Sequence, residues 1–106
     1  MADPRNDHIL ARDLAVEAGK VLLAIRADFP QDGDPKALRD AGDRGSHDFL
    51  MDALAQARPD DAVLSEEGAD NPVRLRSERV WIVDPLDGTR EFSERPRDDW
   101  AVHVAL

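Results

Sequence analysis

Cysteine and tyrosine are both absent from the 106 residues, and aromatic residues make up only 5% of them. Without cysteine there is no disulfide framework and no thiolate metal site; a reducing cytosol is permitted. Long apolar runs are also missing. The longest, Val21 to Ile25, is far too short to cross a bilayer. The opening Met-Ala-Asp-Pro-Arg-Asn-Asp carries no signal-peptide pattern. Basic residues are scarce: 14 Lys and Arg face 23 Asp and Glu, a formal charge of -9. That balance argues against nucleic acid and anionic membranes as partners, since phosphate backbones attract basic surfaces. These features together lead us to expect a soluble, cytoplasmic protein of one domain.

What is present is a concentrated stretch, Trp81-Ile-Val-Asp-Pro-Leu-Asp-Gly-Thr-Arg-Glu-Phe92. An apolar run, Val80 to Val83, delivers Asp84 to a turn stiffened by Pro85. Asp87 follows three residues later. Two carboxylates at that spacing across a tight turn can point to one side, and both are the hard oxygen donors Mg2+ takes. Gly88 allows close approach to the backbone. A helix starting there would offer free N–H groups and the Thr89 hydroxyl to a phosphate. The same residues also suit an ordinary Asp-Pro turn.

The rest of the chain reads as helices and short strands. Asp3-Pro4 looks like a helix opening. Leu10, Leu14, Ala18, Val21, Leu22 and Ile25 fall on one helical face, and the helix should end near Asp28, ahead of Pro30. Gly19 within it suggests close packing by another element. Residues 30–35 read as a loop. Lys36 to Asp40 suits a short strand or irregular chain. Asp43 then opens a second helix to Ala57, with Leu50, Leu54 and Ala57 inward. Ala62 to Ser65 is expected as a strand, Glu66 to Ser77 as an acidic loop, and Val80 to Asp84 as a second strand. A loop with one helical turn after Gly88 follows. Trp100 to Leu106 alternates with period two, as a half-buried strand does.

The stretch Trp81-Ile-Val-Asp-Pro-Leu-Asp-Gly-Thr-x-x-Phe92 resembles the signature of the inositol monophosphatase family of magnesium-dependent, lithium-sensitive phosphatases. Leu64-Ser-Glu-Glu-Gly68 is similar to that family's first metal-ligand motif. The resemblance implies a layered α/β fold, with two helices packed on a largely antiparallel sheet. Residues 1–106 would then be the N-terminal part of such a domain, with its C-terminal part absent, as in a fragment or a truncated gene product.

The resemblance also implies roles. Glu66 and Asp84 would bind one Mg2+ together with the Leu86 carbonyl, and Asp84 and Asp87 a second; two or three ions are expected. Thr89 would work with Glu66 to orient the attacking water. Asp87, Gly88, Thr89 and Arg90 would hold the phosphorylated substrate, and Glu67 would stand behind the site. Asp43 resembles the family's site aspartate, although a plain helix cap accounts for it equally well. Asp40 departs from the threonine often found three residues before that aspartate.

Arg90-Glu91-Phe92, with Arg97, Asp98, Asp99 and Trp100, looks more like the bisphosphate nucleotidase branch. That branch acts on 3′-phosphoadenosine 5′-phosphate in sulfate assimilation. An inositol monophosphatase is the first alternative, and a catalytically incomplete metal-binding fragment the second. Family members are often homodimers. Ser46-His47-Asp48 is set aside, because neighbours on a helix point different ways. His103, on the strand face away from Trp100, is expected to be structural rather than a ligand.

Overall fold

The computed structural model describes residues 3–65 and 77–106. Two long helices open it: α1 (Asp7–Asp28) and α2 (Pro35–Ala57). Strands β1 (Ala62–Ser65) and β2 (Val80–Asp87) follow, then a short helix α3 (Thr89–Ser93) and strand β3 (Ala101–Ala105). The strands form one sheet in the order β1-β2-β3. Among the described residues, no helix is long and apolar enough to cross a membrane.

Neither long helix begins at the expected residue. Asn6, not Asp3, caps α1; its side chain accepts from the Ile9 N–H. Asp3 is engaged elsewhere, bound by the backbone N–H and the guanidinium of Arg5. Helix α2 starts at Pro35, with Asp34 accepting from the Lys36 N–H. The expected strand at Lys36 to Asp40 is therefore the first turns of α2. Asp34-Pro35 is an acid cap followed by proline at N1, the arrangement that starts helices. Asp43 lies inside α2, so its reading as a cap fails.

The sheet is mixed. β1 and β2 run parallel, with Ser65 opposite Val83. β2 and β3 run antiparallel, with Asp84 opposite His103 and a register shift between Asp84 and Asp87. The antiparallel bias that the resemblance implies holds for one pair only. The 66–79 connection is long enough for a parallel crossover, and composition does not choose between crossover and hairpin.

Two apolar clusters hold the layers together. One gathers Leu10, Leu14 and Ala18 of α1, Leu50, Leu54 and Ala57 of α2, and Trp81 and Val83 of β2. The helical residues are the stripes that periodicity predicts. Each fully buried leucine contributes about 1.5–3 kcal/mol of transfer free energy. Trp81 is completely buried, and its indole N–H donates to Asp61 at 2.9 Å.

The second cluster is Leu22, Leu38, Leu86 and Phe92. Phe92 meets Trp100 edge-on at 5.2 Å, and the Arg26 guanidinium lies 5.4 and 5.3 Å from the two ring centres. Arg95 donates to the carbonyls of Arg26, Phe29 and Pro30, tying down the chain at the C-terminal end of α1. A methyl group at position 19 would meet nothing within 4 Å, so Gly19 is not the close-packing site expected of it. Gly42 is one: a Cβ there would meet the Phe92 ring at 2.7 Å.

Candidate active site

The conspicuous stretch folds as a strand, a bulge and a helix start. β2 carries Asp84 and Asp87 at its C-terminal end. The Asp84 carboxylate accepts from the Leu86 N–H at 3.3 Å, which tightens the turn around Pro85. Gly88 then takes a left-handed conformation, φ 83° and ψ 46°, and caps α3. A Cβ at Gly88 would stand 3.2 Å from the Asp99 carbonyl oxygen and 3.3 Å from Trp100. Glycine is thus required twice, by backbone angle and by space.

The register shift between Asp84 and Asp87 brings both to the same place. One carboxylate oxygen of each, with a ring nitrogen of His103, lie within 4.8 Å of one another. Asp84 is half-buried; Asp87 and His103 are exposed. His103 Nε2 stands 3.1 Å from Asp87 Oδ2. Asp87, Gly88, Glu91, Asp99, Trp100 and Ala101 line a hollow of about 390 Å³ alongside. The donor set fits a divalent cation: two hard oxygens and one imidazole at one spot, where repulsion between carboxylates favours a positive ion.

The other expected residues are placed as follows. Leu86 is buried, in the second apolar cluster. Thr89 is the first residue of α3 and half-buried. Arg90 is exposed and pairs with Glu94 at 3.3 Å. Asp43 is half-buried on α2, lining a second hollow of about 390 Å³ with Asp40, Arg44, His47 and Asp48. Glu66 and Glu67 lie outside the described residues, so the expected meeting of Glu66 with Asp84 and Asp87 does too. Ser65, the residue before Glu66, is the register partner of Val83, the residue before Asp84.

His103, expected to be structural rather than a ligand, stands against Asp87. Period two correctly puts it on the face away from Trp100. Its alignment with Asp84 depends on strand register, which the alternation does not reveal. Beyond the hollow, Arg97 pairs with Glu94 and Asp99. These contacts raise the Arg97 pKa, chiefly through its hydrogen bond to Asp99, and lower those of Asp99 and Glu94.

A chain with this fold and carboxylate turn has known counterparts. The model of the inositol monophosphatase family matches residues 4–106. The chain belongs to that family. It is similar to the 3′-phosphoadenosine 5′-phosphate phosphatase of Mycobacterium leprae, 58% identical over 100 residues, covering 94% of this chain and 36% of that protein. The 3′(2′),5′-bisphosphate nucleotidase CysQ of Escherichia coli is 46% identical over 69 residues, covering 62% of this chain and 27% of that protein. Among solved structures, inositol monophosphatase-II of Staphylococcus aureus superposes with a TM-score of 0.77 at 29% identity, covering 92% of this chain and 36% of that one. CysQ of Bacteroides thetaiotaomicron gives 0.72 at 34% identity, with the same coverage of 92% and 36%. The chain thus spans about a third of the length of these relatives.

Proposed function

We propose that the chain is the front part of a Mg2+-dependent phosphomonoesterase acting on 3′-phosphoadenosine 5′-phosphate. One observation carries the reading: Asp84 and Asp87 present their oxygens at one spot, beside the left-handed Gly88 that starts α3. Family membership and the nucleotidase names of the relatives support the chemistry and the substrate. The same reading includes a cytoplasmic location and lithium sensitivity.

Asp84, Asp87 and the Leu86 carbonyl, with Glu66, are the groups we assign to Mg2+. When bound, the ion supplies a Lewis acid that draws charge from phosphoryl oxygens and offsets the negative charge of the chain. Gly88 and Thr89 offer backbone amides to the phosphate. Thr89 and Glu66 orient the water that attacks phosphorus. The P–O ester bond opposite breaks, giving an alcohol and inorganic phosphate. Asp43 and Glu67 are assigned to the support of that water and of the carboxylates. Arg90, exposed and paired with Glu94 at the surface, is assigned to the second phosphate of a bisphosphate.

Two observations favour other readings. The fold superposes on an inositol monophosphatase, which suggests an inositol phosphate as substrate. The cluster of Asp84, Asp87 and His103 would also serve metal binding without turnover. Phosphate release separates the three. Purified chain with Mg2+ is given adenosine 3′,5′-bisphosphate, inositol 1-phosphate or fructose 1,6-bisphosphate. Release from the nucleotide that is lost in Asp84→Asn supports the main reading. Release from inositol phosphate alone moves the substrate. Mg2+-dependent stabilisation without release from any of them supports the metal-binding piece.

A further inference from the structure

Two consecutive residues of α2 reach the ends of two different strands. Ser46 is fully buried, and its hydroxyl donates to the Pro85 carbonyl at 2.7 Å. His47 Nδ1 meets the Ser65 hydroxyl at 2.8 Å. Ser65 is the last residue of β1 and is 5% exposed. Pro85 stands between Asp84 and Leu86, and is itself buried.

The Ser46 contact falls at the irregularity between β2 and β3. Asp84 pairs with His103 and Asp87 with Ala101, and the register shifts between them. Pro85 and Leu86 therefore have no register partner on β3. A buried carbonyl without a donor costs about 1–3 kcal/mol, and Ser46 supplies the donor from α2. Alanine at position 46 would suit a helix better than serine does. The hydroxyl is best explained by the strand turn it holds, not by the helix that carries it.

We propose that Ser46 and His47 are positioning residues for the metal site. Ser46 acts through Pro85 to set the turn bearing Asp84 and Asp87. His47 acts through Ser65 to hold the end of β1 level with that turn. Neither touches the ion or the phosphate. This inference rests on the Mg2+ reading given above.

The test is Mg2+ titration of the whole chain by calorimetry, with folding followed by circular dichroism. Ser46→Ala is expected to raise the Mg2+ dissociation constant by about tenfold, the low end of the effect of losing a supporting contact behind a ligand. His47→Ala is expected to weaken binding in the same direction. His47→Asn, whose amide can occupy the Nδ1 position, is expected to restore it. Leu54→Ala, a core change, serves as the control: it should lower the melting temperature and leave the affinity of the folded chain unchanged. If Ser46→Ala does not fold, Ser65→Ala removes the second contact from the strand side and must weaken binding at least as much as His47→Ala. Parental affinity in folded Ser46→Ala, or in both Ser65→Ala and His47→Ala, overturns the proposal. If the unsubstituted chain binds no Mg2+, or Asp84→Asn binds it as tightly, the metal reading fails and this inference falls with it.

Discussion

Replacing Gly88 with alanine tests whether the turn after β2 is built as described. Gly88 has φ 83°, where an L-residue costs about 1–2 kcal/mol. The new methyl would stand 3.2 Å from the Asp99 carbonyl oxygen and 3.3 Å from Trp100 Cα and Cβ. Two of these atoms are backbone, so relief needs a shift of the segment entering β3. Against this, alanine restricts the unfolded chain and returns about 0.4–1 kcal/mol. With some overpacking included, the net expectation is a loss of about 1–2 kcal/mol. At about 4–8 °C per kcal/mol for a domain of this size, the melting temperature should fall by roughly 5–15 °C. Urea unfolding followed by tryptophan fluorescence measures the free-energy loss, with buried Trp81 as reporter. Gly88→Asn separates the two causes, because asparagine tolerates the left-handed region but still carries a Cβ. A Gly88→Ala chain within about 0.5 kcal/mol of the parent, the range of an ordinary surface change, refutes both the turn geometry and the crowding.

Gly19→Ala should act in the opposite direction, stabilising by up to about 1 kcal/mol in urea unfolding, since the site lies in mid-helix with open space around it. Leu50→Ala, at a completely buried position, should cost about 2–5 kcal/mol by the same measurement. Mg2+ at ten times its dissociation constant should stabilise the chain by about 1.4 kcal/mol, and Asp84→Asn should abolish that shift in thermal melts. Asp3 should titrate at about 2 instead of 3.8, because the Arg5 guanidinium donates to its carboxylate. The folded pKa is the lower one, so this contribution to stability is complete above pH 3.8 and is lost as pH falls toward about 2. Carboxyl NMR titration, with Arg5→Gln returning Asp3 toward its ordinary value, checks it.

The buried stripe of α1 is legible because Leu10, Leu14, Ala18 and Leu22 repeat at helical spacing and nothing else competes for that pattern. The starts of the helices are not. Asp3-Pro4 and Asp34-Pro35 are the same cap-and-proline pair, and only the second opens a helix. At the first, Arg5 takes the Asp3 carboxylate, and Asn6 caps in its place. Residues 30–35, rich in turn formers, mask the true start of α2. Asp43 resembles a cap because the turns before it, with Gly42 and Gly45 nearby, look like poor helix. Gly42 is there for room: the Phe92 ring occupies the space its side chain would need.

The site divides along a similar line. Asp84, Asp87, Gly88 and Thr89 lie within six consecutive positions, so one turn assembles them and their chemistry shows in the order of residues. The groups that touch this turn or the neighbouring strand end come from far along the chain. His103 reaches Asp87 across 16 positions, His47 reaches Ser65 across 18, and Ser46 reaches Pro85 across 39. Such contacts follow from strand register and helix docking, which leave no period in the sequence. A serine amid helix-forming residues therefore looks like a mild local defect until the partner strand is in place. Its hydroxyl then stands against the stretch of β2, Pro85 and Leu86, that the β3 register skips. Carboxylates that share a turn can be found by reading along the chain; the side chains that contact its strands must be found across it.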